Sequence, residues 1–341
     1  VGADAPKRVG LADVARRAGT SHSAASRALN GRPGVRPDHR EAVLAAAAEL
    51  GYIPNTSARN LVMQRTGLVA LAFGEPDVLV GSTFFADLLS NIVSRLDDSG
   101  YRTVLLLPNA DRLRSIADVV YPRAFDGALV VGHRSGDGLI DRFVSCGIPT
   151  VTLGRPLADV RASYVDVDNV AAASMATEHL LAQHRTHPAL LACLPDTSWA
   201  ADREAGFTAA VQSHPDAVWA TEMCEFSNEG GYRGTMRLLE RAPGTDAVLV
   251  ASSAILLGVL NALADAGRRV PDDVAVLSFD DEPRMEYTTP PVTAVRQPLA
   301  RIGREMADCV VQMIANPGMV SRTQLPAELV IRGSSRTPSP G

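Results

Sequence analysis

No stretch of the 341 residues approaches the eighteen or more apolar side chains that a membrane-spanning helix requires. The opening Val-Gly-Ala-Asp-Ala-Pro-Lys-Arg-Val-Gly also lacks the apolar core of a secretory signal, so the expected place of work is the cytoplasm, with no membrane partner. Cysteine is scarce. Cys146, Cys193, Cys224 and Cys309 lie far apart with no Cys-x-x-Cys pair, which excludes a zinc ribbon and a small disulfide framework and predicts buried thiols. Enzyme signatures are missing as well: there is no Gly-x-Gly-x-x-Gly, no Gly-x-x-x-x-Gly-Lys and no Gly-x-Ser-x-Gly. No catalytic residue and no cofactor are therefore assigned.

What is present is the balance of an ordinary globular protein, 46% apolar and 21% charged, on a chain too long for one hydrophobic core. Two or three domains are expected. Charge is divided unevenly between them: residues 1–65 carry ten Lys/Arg against five Asp/Glu, whereas the remainder has a net charge of −10. A basic head on an acidic body fits one end that faces phosphates while the other repels them.

In the head, Leu11, Val14, Ala15 and Ala18 recur at helical spacing, and Gly19 supplies the left-handed residue that stops the helix. A second helix starts almost at once, capped by Ser21. It turns Ala25, Ala28 and Leu29 to one side and leaves His22, Ser23, Ser26 and Arg27 pointing elsewhere. Two short helices around a Gly-Thr-Ser turn predict a helix-turn-helix, whose second helix enters the major groove of duplex DNA. Arg27 is long enough to reach a guanine edge or a phosphate. A third helix is predicted from Pro37 to Leu50 with Val43, Leu44, Ala47 and Leu50 inward. After Gly51, Pro54 enforces an extended approach to Asn55, which can cap a short helix over Thr56–Val62. Seven residues cannot hold a helix alone in water, so this segment is expected to gain order on contact.

These residues, L-A-D-V-A-R-R-A-G-T-S-H-S-A-A-S-R-A-L-N-G, V-R-P-D-H-R-E-A-V-L-A-A-A-A-E-L-G-Y-I-P-N and A-R-N-L, resemble the LacI/GalR repressor family. The resemblance implies a sequence-specific transcriptional regulator of bacteria, most simply a repressor. It would bind a pseudo-palindromic operator in double-stranded DNA as a homodimer and associate with the nucleoid when bound. His22 and Ser23 would read bases, Arg27 a base or phosphate, and Asn30 and Asn55 phosphates. Ser26 and Ala58 would complete the DNA contacts, with Leu61 the wedge of a paired hinge helix in the minor groove. The chain departs from the family at Gly10 and Arg36, where Ser or Thr caps are usual, and at Ala24-Ala25, where Thr-Val is usual.

From Gly67 onward, short apolar runs alternate with amphipathic helices: Leu68–Phe73, Thr103–Leu107, Ala128–Val131, Thr150–Leu153, Ala189–Leu194, Ala247–Val250 and Val274–Phe279. That alternation predicts an α/β body of doubly wound parallel sheets. The resemblance implies two subdomains, as in periplasmic binding proteins, with a small-molecule effector between them. Expected boundaries are 1–54 for the helix-turn-helix head, 55–65 for the hinge and 66–341 for the effector-binding and dimerisation body. Within the body, 66–160 is expected to pair with 283–295 and 161–282 with 296–333, with crossovers near Leu157–Tyr164, near Asp280–Glu282 and past Pro291.

Ligands of such sheets sit beyond the carboxyl ends of the strands. There Arg203 and Asp280 match the family's polar contacts, and Phe84, Phe85, Trp199 and Phe226 its aromatic walls. Ser252 falls in Ala251-Ser-Ser-Ala-Ile-Leu-Leu-Gly258, where the family reads Ala-x-Asn-Asp-x-x-Ala-x-Gly. Serine makes fewer bonds than asparagine, so the effector is a sugar or a less hydroxylated metabolite. His179, His184 and His187 straddle a helix end and are not read as metal ligands. The alternatives are a solute-binding protein, which would need an export signal, and an enzyme on the same α/β scaffold.

Overall fold

A computed structural model of the protein describes residues 9–29, 33–52, 65–74, 83–107, 116, 118–157 and 162–336. The chain separates into two compact units, Val1–Arg65 and Thr66–Gly341.

The first unit holds α1 (Leu11–Arg17), α2 (His22–Leu29) and α3 (Pro37–Glu49). Helix α1 ends at Gly19, φ +62°, with Thr20 N–H donating to the Ala15 carbonyl and Gly19 N–H to that of Arg16. This pairing satisfies the last carbonyls and needs a residue without a Cβ penalty at the turn. Helix α3 ends in the same way at Gly51, with Tyr52 N–H on Ala47. Gly10 offers no side chain as a cap, yet its own N–H donates to Asp13 Oδ2 at 3.0 Å, which holds the start of α1 from the other direction. Val14, Ala15, Ala25, Ala28, Val43, Ala46 and Ala47 form the core of this unit.

One inward assignment is corrected. Leu44 is 49% exposed and Ala46 takes its place in the core. In Ala42-Val-Leu-Ala-Ala-Ala-Ala-Glu-Leu50 apolar residues surround the helix, so periodicity does not select between faces 43/44/47 and 43/46/47. Asn30, Asn55, Ala58 and Leu61 lie outside the described residues.

The second unit contains two six-stranded sheets, assembled from described residues. The first runs β11-β5-β4-β3-β1-β2, from β1 (Leu68–Phe73), β2 (Arg102–Leu106), β3 (Gly127–Val131), β4 (Thr150–Leu153), β5 (Ser163–Val167) and β11 (Arg322–Leu325). The second runs β12-β10-β9-β8-β6-β7, from β6 (Pro188–Ala192), β7 (Ala220–Met223), β8 (Ala247–Val250), β9 (Ala275–Phe279), β10 (Thr293–Arg296) and β12 (Glu328–Val330). All pairings are parallel except β10 with β12. Parallel strands are covered on both faces, which is why β1, β3, β6 and β8 read as unbroken apolar runs.

On the first sheet, α4 (Thr83–Asp98) and α10 (Leu299–Ala315) pack on one side through Leu88, Ile92, Ile302 and Met306. Helix α5 (Leu139–Ser145) covers the other with Ile140 and Phe143. On the second sheet, α6 (Asn169–Ala182) pairs with α7 (Ser198–Gln212), and α8 (Asn228–Arg241) with α9 (Ser253–Asp265). The last pair touches backbone to backbone: a Cβ on Gly258 would lie 1.7 Å from the Asn228 carbonyl oxygen, so only glycine permits this approach.

Topology corrects the predicted subdomain boundaries. Strand β5 belongs to the first sheet, so the first crossover follows Val167 rather than lying at Leu157–Tyr164. Asp280 and Glu282 form no crossover, because β10 pairs with β9 in the same sheet; residues 293–295 thus belong to the second subdomain. The chain leaves that sheet at Gln297-Pro298, since α10 packs on the first, and returns through Pro326-Ala327 between β11 and β12. Strands β5, β7, β10, β11 and β12 escaped the sequence reading because polar residues interrupt their apolar pattern, three of them standing at sheet edges.

Candidate functional site

The described candidate residues fall on two surfaces, one in each unit. In the head, Ser21 Oγ accepts from Ala24 N–H at 3.1 Å and opens α2. Ala25 and Ala28 are buried and anchor the helix to its neighbours. The face opposite presents His22, Ser23 and Arg27 to solvent, with Ser26 half-buried at its margin. Small residues inward and polar residues outward, starting at the amino-terminal turn, are what insertion of this helix into a DNA groove requires.

In the body, a cleft of about 870 Å³ opens at the carboxyl ends of the strands of both sheets. Phe84, Phe85, Trp199, Arg203, Phe226, Ser252 and Asp280 all line it. Phe84 and Phe85 stand in the first turn of α4, ring centroids 5.1 Å apart, and Trp199 and Phe226 lie 6.2 Å apart on the other sheet. These rings give apolar walls suited to the non-polar faces of a small ligand.

Arg203 is buried at the base of the cleft. Its Nε donates to Asn169 Oδ1 at 2.9 Å, and Nη1 donates to the Ala251 carbonyl. Its Nη2 lies 3.9 Å from Asp280 Oδ1. The guanidinium also stacks 3.8 Å from the Phe279 ring centroid and 4.6 Å from that of Trp199. A planar, permanently charged fork suits such a crowded position.

Asp280 follows β9 at φ +66°, in the left-handed region, which aspartate tolerates better than most residues. Its Oδ1 accepts from Gln297 Nε2 at 2.6 Å and its Oδ2 from Ser252 Oγ at 3.3 Å. Asp166 accepts from Arg155 N–H, Val167 N–H and Asn169 Nδ2. Burial pushes its carboxyl above the usual aspartate range, against the pull of the two backbone N–H groups. Ser252 also caps α9, accepting from Ala254 N–H, and Ser253 donates to Glu282 at 2.7 Å.

The sequence reading missed His133, Asp166, Asn169 and Gln297, which also line the cleft. His133 stands two residues beyond β3, so the rule that placed Ser252 and Asp280 would have found it. Gln297 follows β10, a strand the pattern did not reveal. Burial holds the His133 imidazole below the ordinary histidine range, with Asp137 opposing.

Of the cysteines, Cys193, Cys224 and Cys309 are buried free thiols, whereas Cys146 is only half-buried, a correction to the expected pattern. Burial pushes Cys224 up to about 11 and raises Cys193 further, so both remain protonated near neutral pH. His179 Nε2 meets Ser335 Oγ at 2.8 Å and His187 Nδ1 meets Thr186 Oγ1 at 3.0 Å. Among the described residues no group of three or more His, Cys, Asp or Glu is placed to hold a metal ion, and no helix is long and apolar enough to cross a membrane.

The pattern described as "Bacterial regulatory proteins, lacI family" matches residues 10–55, and that described as "Periplasmic binding protein-like domain" matches residues 177–335. The chain is 34% identical over 331 residues to the HTH-type transcriptional regulator CelR of Thermobifida fusca, covering 95% of this chain and 96% of that one. Among solved structures, the CelR–cellobiose complex matches with a TM-score of 0.75 and 32% identity, over 96% of this chain and 100% of the other. The lac repressor dimer bound to operator and the anti-inducer ONPF matches with a TM-score of 0.83 and 25% identity, over 97% and 100%. With the exposed polar face of α2 and the enclosed cleft behind these matches, the chain belongs to the lacI family of bacterial regulatory proteins and is a DNA-binding transcriptional regulator, not an enzyme.

Proposed function

We propose that this regulator acts as a homodimer on a pseudo-palindromic operator, one head per half-site, and that a neutral sugar in the body's cleft sets its affinity for DNA. The observation that carries the sugar is the cleft itself: aromatic walls surround a fixed set of hydroxyl-binding groups, Asp280, Asp166, Asn169, Gln297 and Arg203. The hydroxyls of Ser252 and Ser253 are engaged by Asp280 and Glu282, so these serines shape the cleft while the carboxylates and amides serve the ligand. The relative CelR is solved with cellobiose, which supports the same class of ligand here.

For the head, His22, Ser23, Ser26 and Arg27 are the proposed base and phosphate contacts. Asn30, Asn55, Ala58 and Leu61 are proposed from sequence, with residues 55–65 as the hinge. A second copy of the chain is supported by the exposed apolar residues Val93, Leu105, Leu107, Val119 and Tyr121 of the first subdomain, and by the dimeric lac repressor. A DNA partner places the working protein in the cytoplasm, at the nucleoid. A ligand that favours one arrangement of the subdomains would shift the fraction of dimers competent for DNA, by its difference in affinity for the two.

The test begins with duplexes selected from random sequence by the full-length protein. They should share an inverted repeat, and Arg27→Ala should weaken binding to them at least tenfold with a shallower salt dependence. Selected duplexes without symmetry, or an unchanged Arg27→Ala protein, would refute this placement of the heads.

A further inference from the structure

Next to the main cleft lies a smaller recess of about 380 Å³. His133, Arg134 and Thr197 border both, so a ligand seated in the cleft meets the recess directly beside them. It straddles the two sheets: residues 133–141 follow β3 of the first, and Asp196, Thr197 and Ser198 follow β6 of the second. A hydrogen bond from Ser135 N–H to the Asp196 carbonyl, 2.9 Å, ties the two sides together.

The recess is polar in an unusual way. Ser198 is 1% exposed and His133 is 8% exposed, yet Ser198 Oγ and His133 Nε2 have no hydrogen-bond partner among the described residues. Asp196 Oδ1 is buried and unpartnered in the same sense, although Oδ2 of the same carboxylate is held by Arg134 Nη1 at 3.4 Å. Ser198 and His133 flank Gly154, φ +87°, whose missing Cβ would lie 3.8 Å from Ser198 Oγ and 3.7 Å from His133 Cε1. Buried polar groups are almost always paired, because an unpaired one forfeits its hydration for nothing. One donor-acceptor hydroxyl, one carboxylate oxygen and one imidazole nitrogen facing a recess next to a ligand cleft therefore point to ligand hydroxyls as the missing partners.

We propose that this recess is an outer subsite and that the effector is an extended glycoside of at least two units. One ring lies among the aromatic side chains of the cleft, and the next presents its hydroxyls to Ser198, Asp196 and His133. The recess is smaller than the cleft it adjoins and shares three lining residues with it, so it extends that site rather than forming a separate one. The neutral imidazole favoured by burial can accept from or donate to a hydroxyl at Nε2. Because the subsite joins residues of both sheets, the second ring would also select the arrangement in which β3 and β6 loops face each other. This inference rests on the reading of the main cleft as a sugar site.

Calorimetric titration of the full-length protein with glucose, galactose, cellobiose, maltose and lactose tests it. At least one disaccharide should bind tenfold or more tighter than its constituent monosaccharides. Ser198→Ala and Asp196→Asn should each reduce that disaccharide's affinity about fivefold or more and leave monosaccharide affinity unchanged, since neither residue lines the main cleft. Ser198→Ala should do so without lowering the melting temperature of the free protein, since the hydroxyl it removes has no partner to lose. A disaccharide that binds no tighter than its monosaccharide, or variants that weaken both equally, would overturn the subsite while leaving the sugar cleft standing. A parent protein that binds none of the five overturns the sugar cleft and the subsite together.

Discussion

Gln297 donates its side-chain amide to Asp280 Oδ1 at 2.6 Å, tying the residue at which the chain leaves the second sheet to a carboxylate of the cleft. Asp280 is thereby clamped from one side by the crossover and from the other by Ser252. Gln297→Ala should free the carboxylate to rotate and weaken effector binding. A hydrogen bond to a charged group contributes about 1.5–3 kcal/mol, so the loss should be roughly 10- to 100-fold. Titration of the variant with the ligand identified for the parent checks this; a change below threefold would sink the clamp.

Burial holds both His133 and His179 below the ordinary histidine value of 6.5. In the unfolded chain these rings take up protons as pH falls through that value, whereas in the folded body they resist. Their stabilising contribution is therefore complete above about pH 6.5 and is lost as pH falls toward the lowered folded values. Asp166, raised by burial, has the opposite sign: its contribution is present at the acid end and is lost as pH rises through its titration. Urea unfolding at pH 7.5 and pH 5.5 should show a smaller loss of stability in His133→Asn than in the parent. Equal losses would show that His133 is not the source of the slope.

The head has a small core, and the corrected face of α3 gives a paired test. Val43 is fully buried and Leu44 is 49% exposed. Val43→Ala should cost the head about 2 kcal/mol, while Leu44→Ala should stay within about 0.5 kcal/mol. Thermal unfolding of the head followed by far-ultraviolet circular dichroism on the full chain would separate them. Comparable destabilisation by the two substitutions would restore the face read from sequence.

Legibility followed physical cause. The helix-turn-helix was readable because its signals are local: Gly19 at positive φ, Ser21 at the cap, and alanines that must face inward between short helices. Six of the seven predicted cleft residues follow a strand end or stand in the first turn of a helix, where parallel sheets gather their ligands, and Arg203 joins them from the second turn of α7. His133 and Gln297 were hidden for different reasons, one by an unused rule and the other by an unrecognised strand. Topology was the least legible. Whether β5 or β10 belongs to one sheet or the other depends on pairing across the fold, and nothing in Ser163–Val167 or Thr293–Arg296 encodes the neighbour.

The interleaving of the two sheets also governs what an interrupted chain can be. The third helix of the head ends at Glu49, but the first sheet receives its last strand only at Arg322–Leu325 and the second only at Glu328–Val330. During synthesis the DNA-reading end can therefore close hundreds of residues before either lobe does. A nonsense mutation between residues 297 and 322 would release the helices of the head on two sheets that each lack an edge strand, a species able to touch DNA yet deaf to any small molecule and prone to aggregate.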